Sequence, residues 1–171
     1  HSASISSEVS APGIGSDFNY TRDSLDVAKY FPFRNGATLA THGQANISTG
    51  AVPPNSLFTF SDQNLRGYAN VFYGTDTLLG QIEYRKPILA DRKLILAAFY
   101  DEGAYRIRGA SPLLDPYTNR IIGYPGKWSA RGDFGVGMRF DLPQLNLRTI
   151  RIDFARGSNG THTSFGIGQS F

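Results

Sequence analysis

The sequence lacks cysteine altogether and contains no long apolar run. The absence of cysteine excludes a disulfide framework and any thiolate-bound metal. The mean hydropathy is -0.26, and no stretch approaches the ~18 consecutive apolar residues that a membrane-spanning helix needs. If this chain crosses a membrane, it must therefore do so with strands.

The sequence also carries little excess charge. The formal net charge is +3, and the lysines and arginines are scattered rather than clustered. Because no basic stripe interleaved with aromatic residues is present, we expect no nucleic-acid partner. The Gly-x-Ser-x-Gly elbow of serine hydrolases is also absent, so we predict no enzyme activity and assign no catalytic residue. We expect neither a metal nor a cofactor.

Glycine and aromatic residues are abundant, with 19 glycines, 12 phenylalanines and 9 tyrosines, and this favours an all-β fold. Apolar and polar residues alternate in short segments. Near the C-terminus, for example, Ile150, Ile152 and Phe154 alternate with Arg151 and Asp153. Eight such segments are predicted as strands, at residues 3–9, 24–33, 38–47, 78–86, 94–105, 134–140, 150–154 and 165–171.

The alternation alone fits two architectures. The apolar face is the core of a soluble sandwich, or it faces lipid while the polar face lines a barrel lumen. The links between segments favour the barrel. Short links at 34–36, 87–92 and 141–146 alternate with long ones at 50–76 and 108–130, as expected for tight periplasmic turns and extended external loops. This arrangement predicts that both termini are periplasmic.

Three motifs occur in a fixed order along the chain. They are Leu65-Arg66-Gly67-Tyr68, the strand at residues 78–88, and Phe99-Tyr100-Asp101-Glu102-Gly103. In order, spacing and content they resemble the C-terminal barrel of the bacterial surface-antigen superfamily. That superfamily includes the outer-membrane assembly factors BamA and TamA and the two-partner-secretion translocators. The resemblance covers essentially all 171 residues.

The resemblance implies an integral protein of the bacterial outer membrane with a long external loop folded into the lumen. It assigns Arg66, Gly67 and Tyr68 to the loop signature and Asp101 to the acidic partner of the arginine. Glu83 is a second inward carboxylate that could share this contact. The physical argument agrees, because an arginine in a restricted lumen cannot lose its charge and must find an anion or water.

The resemblance also implies that Phe165, Ile167 and Phe171 form a C-terminal signal for barrel assembly. The chain departs from the family in two respects, because its members usually have periplasmic modules before the barrel and about twice as many strands. We therefore expect residues 1–171 to be a single outer-membrane barrel domain without periplasmic modules. An eight-stranded barrel has little free interior, so the barrel either closes alone, with the loop across its mouth, or is completed by a second copy in a homodimer.

Two classes of function follow. In the first, the protein inserts or transports outer-membrane or secreted client proteins, in contact with outer-membrane lipid, and its first and last strands form a seam that accepts a client strand. In the second, it is a structural or binding barrel without transport activity, or a soluble lipocalin-like ligand carrier.

Overall fold

The structure is a computed structural model that describes residues 1–89, 94–109, 113–114, 121–123, 126–142 and 147–168. Most of these residues lie in strands. In chain order the strands are β1 (Ser2–Ser10), β2 (Tyr20–Pro32), β3 (Thr38–Gly50), β4 (Phe58–Phe60), β5 (Phe72–Gly74), β6 (Asp76–Pro87), β7 (Leu94–Arg106), β8 (Leu113–Leu114), β9 (Ile121–Gly123), β10 (Ser129–Leu142), β11 (Leu147–Gly157) and β12 (Gly160–Ile167). Two short 3-10 helices lie at Pro12–Ile14 and Pro54–Ser56. No helix in the described ranges is long and apolar enough to span a bilayer.

Eight of these strands form one antiparallel sheet in the order β1-β2-β3-β6-β7-β10-β11-β12. All eight predicted strands are present in it, which confirms the prediction of an all-β, antiparallel sheet of eight strands. The pairs β4-β5 and β8-β9 are small separate hairpins within the two long loops. Within the described residues β1 and β12 are the two edges of the sheet, and each pairs with one neighbour.

The last strand differs from its predicted bounds. It begins at Gly160, directly after a tight turn, because Gly157 and Gly160 pair across that turn and Gly160 has a φ of 126°. The prediction began this strand at its first apolar alternation and so missed the polar residues that precede it. Phe171 lies outside the described residues, as do parts of the links predicted at 87–92, 108–130 and 141–146.

The two faces of the sheet are the reverse of those in a soluble protein. Ile82, Tyr100 and Phe134 are cross-strand neighbours on one face, with exposed fractions of 43%, 46% and 60%. On the opposite face Gln81 and Asp101 pair directly and are buried. Because adjacent residues of a strand point to opposite faces, this register places the apolar stripe outside and the polar stripe inside. A sandwich core is excluded by this arrangement.

The long loop at residues 50–76 covers the polar inner face of the sheet. Its buried residues Phe60, Leu65 and Tyr68 form an apolar cluster with Leu79 of β6. The loop approaches β7 closely at Gly103, where a Cβ would lie 2.9 Å from the Phe60 ring. The loop fits on this face because the eight strands form an open sheet within the described residues, not a narrow closed barrel.

Candidate functional site

The candidate site is centred on Arg66, at the turn of the long loop. Two backbone bonds tighten this turn, from the Leu65 amide to the Ser61 carbonyl at 2.9 Å and from the Tyr68 amide to the Leu65 carbonyl at 3.1 Å. The Ser61 amide also donates to Asn64 Oδ1 at 3.3 Å. These local bonds direct the Arg66 side chain to the sheet, where it is fully buried.

Arg66 forms a two-pronged ion pair with Asp101 of β7. Its Nε donates to Asp101 Oδ2 at 2.7 Å and its Nη2 donates to Asp101 Oδ1 at 2.8 Å. The third nitrogen, Nη1, donates to Glu83 Oε2 on β6. The structure therefore brings Arg66 together with both carboxylates that the sequence singled out. Bidentate pairing fixes the orientation of the planar guanidinium as well as its position.

Glu83 connects Arg66 to further arginines of the barrel wall. It accepts from Arg139 Nη2 at 2.9 Å and from Arg85 Nε at 2.7 Å. Arg139 in turn donates from Nη1 to Asp153 Oδ1 at 2.5 Å. Because the side chains of Arg139, Glu83 and Asp153 are fully buried, each of these charges depends on its neighbours for the solvation that it lost.

A second set of contacts surrounds the Arg66 guanidinium. Its plane lies 3.4 Å from the centroid of the Phe99 ring, within the range of a cation–π contact. The Phe99 ring itself lies over Gly135, where a Cβ would be 2.5 Å from the ring. Burial opposes the charged form of Arg66, but the hydrogen bonds and charges of Asp101 and Glu83 outweigh it and raise the pKa of Arg66 above its ordinary value.

Gly67 and Tyr68 hold the loop against the sheet, Gly67 through its small size and Tyr68 through its hydrogen bonds. A Cβ on Gly67 would lie 2.5 Å from Asp133 Cβ and 2.7 Å from the Gly157 amide nitrogen, so only glycine fits between β10 and β11. The Tyr68 hydroxyl donates to the Gly132 carbonyl at 3.0 Å and accepts from the Ser158 amide at 3.1 Å. Besides its contacts with β6 and β7, the loop is thus bound to β10 and to the turn after β11.

Several residues of this cluster were not assigned a role from the sequence. Arg139, Arg151 and Asp153 were placed on the polar faces of their strands, but the alternation gave no reason to join them to Arg66. Arg151 holds the loop through a 2.6 Å bond from its Nη2 to Gln63 Oε1. Gln81 bridges loop and sheet, donating from Nε2 to the Asn64 carbonyl at 2.9 Å and to Asp101 at 3.1 Å. A charged residue on the strand face opposite the apolar stripe is the sequence feature that could have identified the charged members of this group.

The predicted assembly signal lies apart from this cluster. Phe165 and Ile167 are on β12 with exposed fractions of 67% and 76%, and Phe171 is outside the described residues. Their role as a signal stays a prediction. Among the described residues no group of three or more metal-ligating side chains is arranged to hold a metal ion.

Comparisons with known proteins agree with this geometry. A family model described as the Omp85 superfamily domain matches residues 1–171. Among solved structures, the crystal structure of BamA from Haemophilus ducreyi lacking POTRA domains 1-3 is similar to this chain with a TM-score of 0.66 and 16% identity. The match covers 95% of this chain and 36% of that one. At this identity the likeness shows the fold alone. No curated protein matches the sequence.

Proposed function

Because the chain belongs to the Omp85 superfamily, we propose that this outer-membrane β-barrel protein inserts or transports client proteins at the outer membrane. Residues 1–171 form one barrel domain in this proposal, and no covalent chemistry is involved. The observation that carries it is the buried Arg66 in the long loop, held by Asp101 and Glu83. A loop fastened by charges to the inner wall keeps a defined position while the wall or the strand edges move.

The open edges of the sheet supply a surface for a client. Nearly all of β1 is exposed, including Ile5 at 84% and Val9 at 59%. An exposed strand edge presents unpaired amides and carbonyls that can pair with another strand. We propose that β1 and β12 form the seam at which a client strand pairs, with the termini periplasmic and the loop at 50–76 external.

Reconstitution tests this proposal. The protein would be incorporated into lipid vesicles and offered an unfolded outer-membrane barrel protein, and the folded client would be measured by its heat-modifiable migration on a gel. We expect insertion above that of empty vesicles. Arg66→Gln should lower the rate because the loop loses its anchor to Asp101. Insertion no faster than in empty vesicles would contradict the proposal.

Arg139→Gln is the matched control. Arg139 is as fully buried as Arg66 and shares the partner Glu83, but its ion-pair partners, Glu83 and Asp153, are both on barrel strands and not in the loop. If both variants fold to the same extent and lower insertion equally, the loop anchor has no specific role in insertion.

A structural barrel without transport activity is the second candidate. The observation that favours it is the dense cluster of Phe60, Leu65 and Tyr68 over the inner face, which is typical of a plugged interior. The same reconstitution distinguishes the two, because a structural barrel would insert no client in any variant. The exposed apolar face opposes the soluble lipocalin-like alternative.

A homodimer is one way to pair the backbone amides and carbonyls at the two edges of the sheet. In this proposal β1 of one copy pairs with β12 of another. The cysteine-free sequence makes the test simple: a variant with Ile5→Cys and Thr163→Cys, both on the outward face of their strands, should give a disulfide-linked dimer in detergent if the edges meet between copies. A monomeric mass in detergent, with no crosslink, would contradict the dimer.

A further inference from the structure

A second charged cluster lies on the outward face of the sheet, at the rim that carries the long loops. Asp76 of β6 pairs in register with Arg106 of β7. Trp128 precedes the first residue of β10, Ser129, which pairs with Tyr105. The Arg106 guanidinium lies 4.8 Å from the centroid of the Trp128 ring. None of these residues belongs to the Arg66 cluster.

Asp76 is a buried anion shared by two arginines. Its exposed fraction is 1%, and its Oδ2 accepts from Arg106 Nε at 2.5 Å and from Arg108 Nε at 2.7 Å. The backbone of the second arginine is fixed as well, because the Arg108 amide donates to Thr75 Oγ1 at 2.9 Å. The two guanidinium groups are therefore held in place before any ligand arrives.

The cluster has an excess positive charge that its own carboxylate does not neutralise. Two arginines against one carboxylate leave a net charge of +1. Their side chains are 31% and 42% exposed, and each donates to Asp76 only through Nε. Within the part of the chain that the structure describes, no acceptor is assigned to the Nη groups of Arg106 or Arg108. A guanidinium with free Nη groups is suited to bidentate binding of an oxyanion.

The position of the cluster further limits the class of ligand that it can bind. Trp128 is 44% exposed and borders the outward apolar face, as expected of an aromatic residue at the membrane interface. Lys127 beside it is also exposed and adds positive charge. Basic groups at this level are placed to meet lipid headgroups. We propose that Arg106 and Arg108 bind a phosphate monoester, carried by a lipid headgroup or free in solution, beside Trp128.

Trp128 is the only tryptophan of the chain, so tryptophan fluorescence, excited selectively over the 9 tyrosines, reports on this cluster alone. The full chain in neutral detergent micelles would be titrated with phosphatidic acid, a lipid with a phosphate monoester. We expect a saturable change in the emission of Trp128. Arg108→Gln should weaken this binding at least about tenfold, because a charge-assisted bidentate contact is lost. Arg156→Gln, at an exposed arginine of β11, is the matched control and should leave binding unchanged.

Separate titrations identify the source of the phosphate. Inorganic phosphate alone should reproduce the change if the free ion is the ligand, and should have no effect at equal concentration if the lipid is required. An equal response to phosphatidylcholine, or equal losses in Arg108→Gln and Arg156→Gln, would overturn the proposal. Should Arg108→Gln fail to fold, Arg108→Lys is the second variant, because it keeps the positive charge but loses the bidentate geometry of the guanidinium. Binding by Arg108→Lys as tight as in the unaltered protein would overturn the proposal as well.

Discussion

Replacing Arg66 by methionine should release the long loop from the inner face of the sheet. Methionine keeps an unbranched chain of similar length but donates no hydrogen bond. The variant removes the bonds from Arg66 to Asp101 and to Glu83. Because the loop is otherwise held by apolar packing and a few single hydrogen bonds, we expect it to open locally while the sheet stays folded.

The magnitude follows from the charges left behind. Glu83 keeps its bonds from Arg139 and Arg85, whereas Asp101, which is fully buried, keeps only the side-chain donor Gln81 among the residues that the structure describes. Removing one partner of a buried ion pair costs about 3–5 kcal/mol. A loss of about 3 kcal/mol makes the open loop roughly a hundred times more populated.

Thiol labelling measures this opening directly. Since the chain has no cysteine, Leu65→Cys introduces a single thiol at a residue that is 0% exposed. Its reaction with a maleimide in the folded protein follows the population of the open loop. We expect labelling to be roughly a hundred times faster when Arg66→Met is added. Adding Asp101→Asn as well should restore much of the protection, because the unpaired buried charge is then removed.

Arg139→Met in the Leu65→Cys background is the control, because Arg139 is equally buried but its ion-pair partners Glu83 and Asp153 lie on the strands and not in the loop. Its effect on labelling should be much smaller. Equal labelling rates with and without Arg66→Met would refute the reasoning, since the loop would then be held by apolar packing alone. A control variant that labels as fast as Arg66→Met would refute the specific role of the anchor.

Three further predictions concern the loop signature and the outward face. Gly67→Ala should open the loop with all charges intact, because its Cβ would lie 2.5 Å from a side-chain atom of β10, whereas Gly80→Ala, with nothing within 4 Å, should not change thiol labelling. Tyr68→Phe removes the hydrogen bonds of the hydroxyl with Gly132 and Ser158 and should lower the free energy of loop opening by about 1–3 kcal/mol in the same assay. Labelling unchanged from the unaltered tyrosine would show these bonds to be without effect. Ile82→Arg on the apolar outward face should lower the free energy of unfolding in lipid vesicles by about 2–4 kcal/mol, measured with urea, whereas Glu102→Lys, at an outward position already charged, should change it much less.

The fold was largely predictable from the sequence because its signal is local. Alternation of apolar and polar residues identified the strands of the sheet and the polar face of seven of them; the serine-rich segment at 3–9 was predicted as a strand without an assigned face. The boundary of β12 was missed for the same reason. Its first residues, beginning at Gly160, have no apolar alternation, and only pairing with β11 makes them a strand.

The sequence by itself determined that the chain forms strands with one apolar and one polar face, and that the charge of Arg66 requires an anion. The alternation did not determine which way the faces point, since it fits a sandwich as well, and the lengths of the links only favoured the barrel. Only the tertiary structure decided that the polar face is buried and that Arg139 and Asp153 join the Arg66 cluster. Those contacts depend on the register of strands far apart in the chain, and a period of two residues along one strand carries no information about its neighbours.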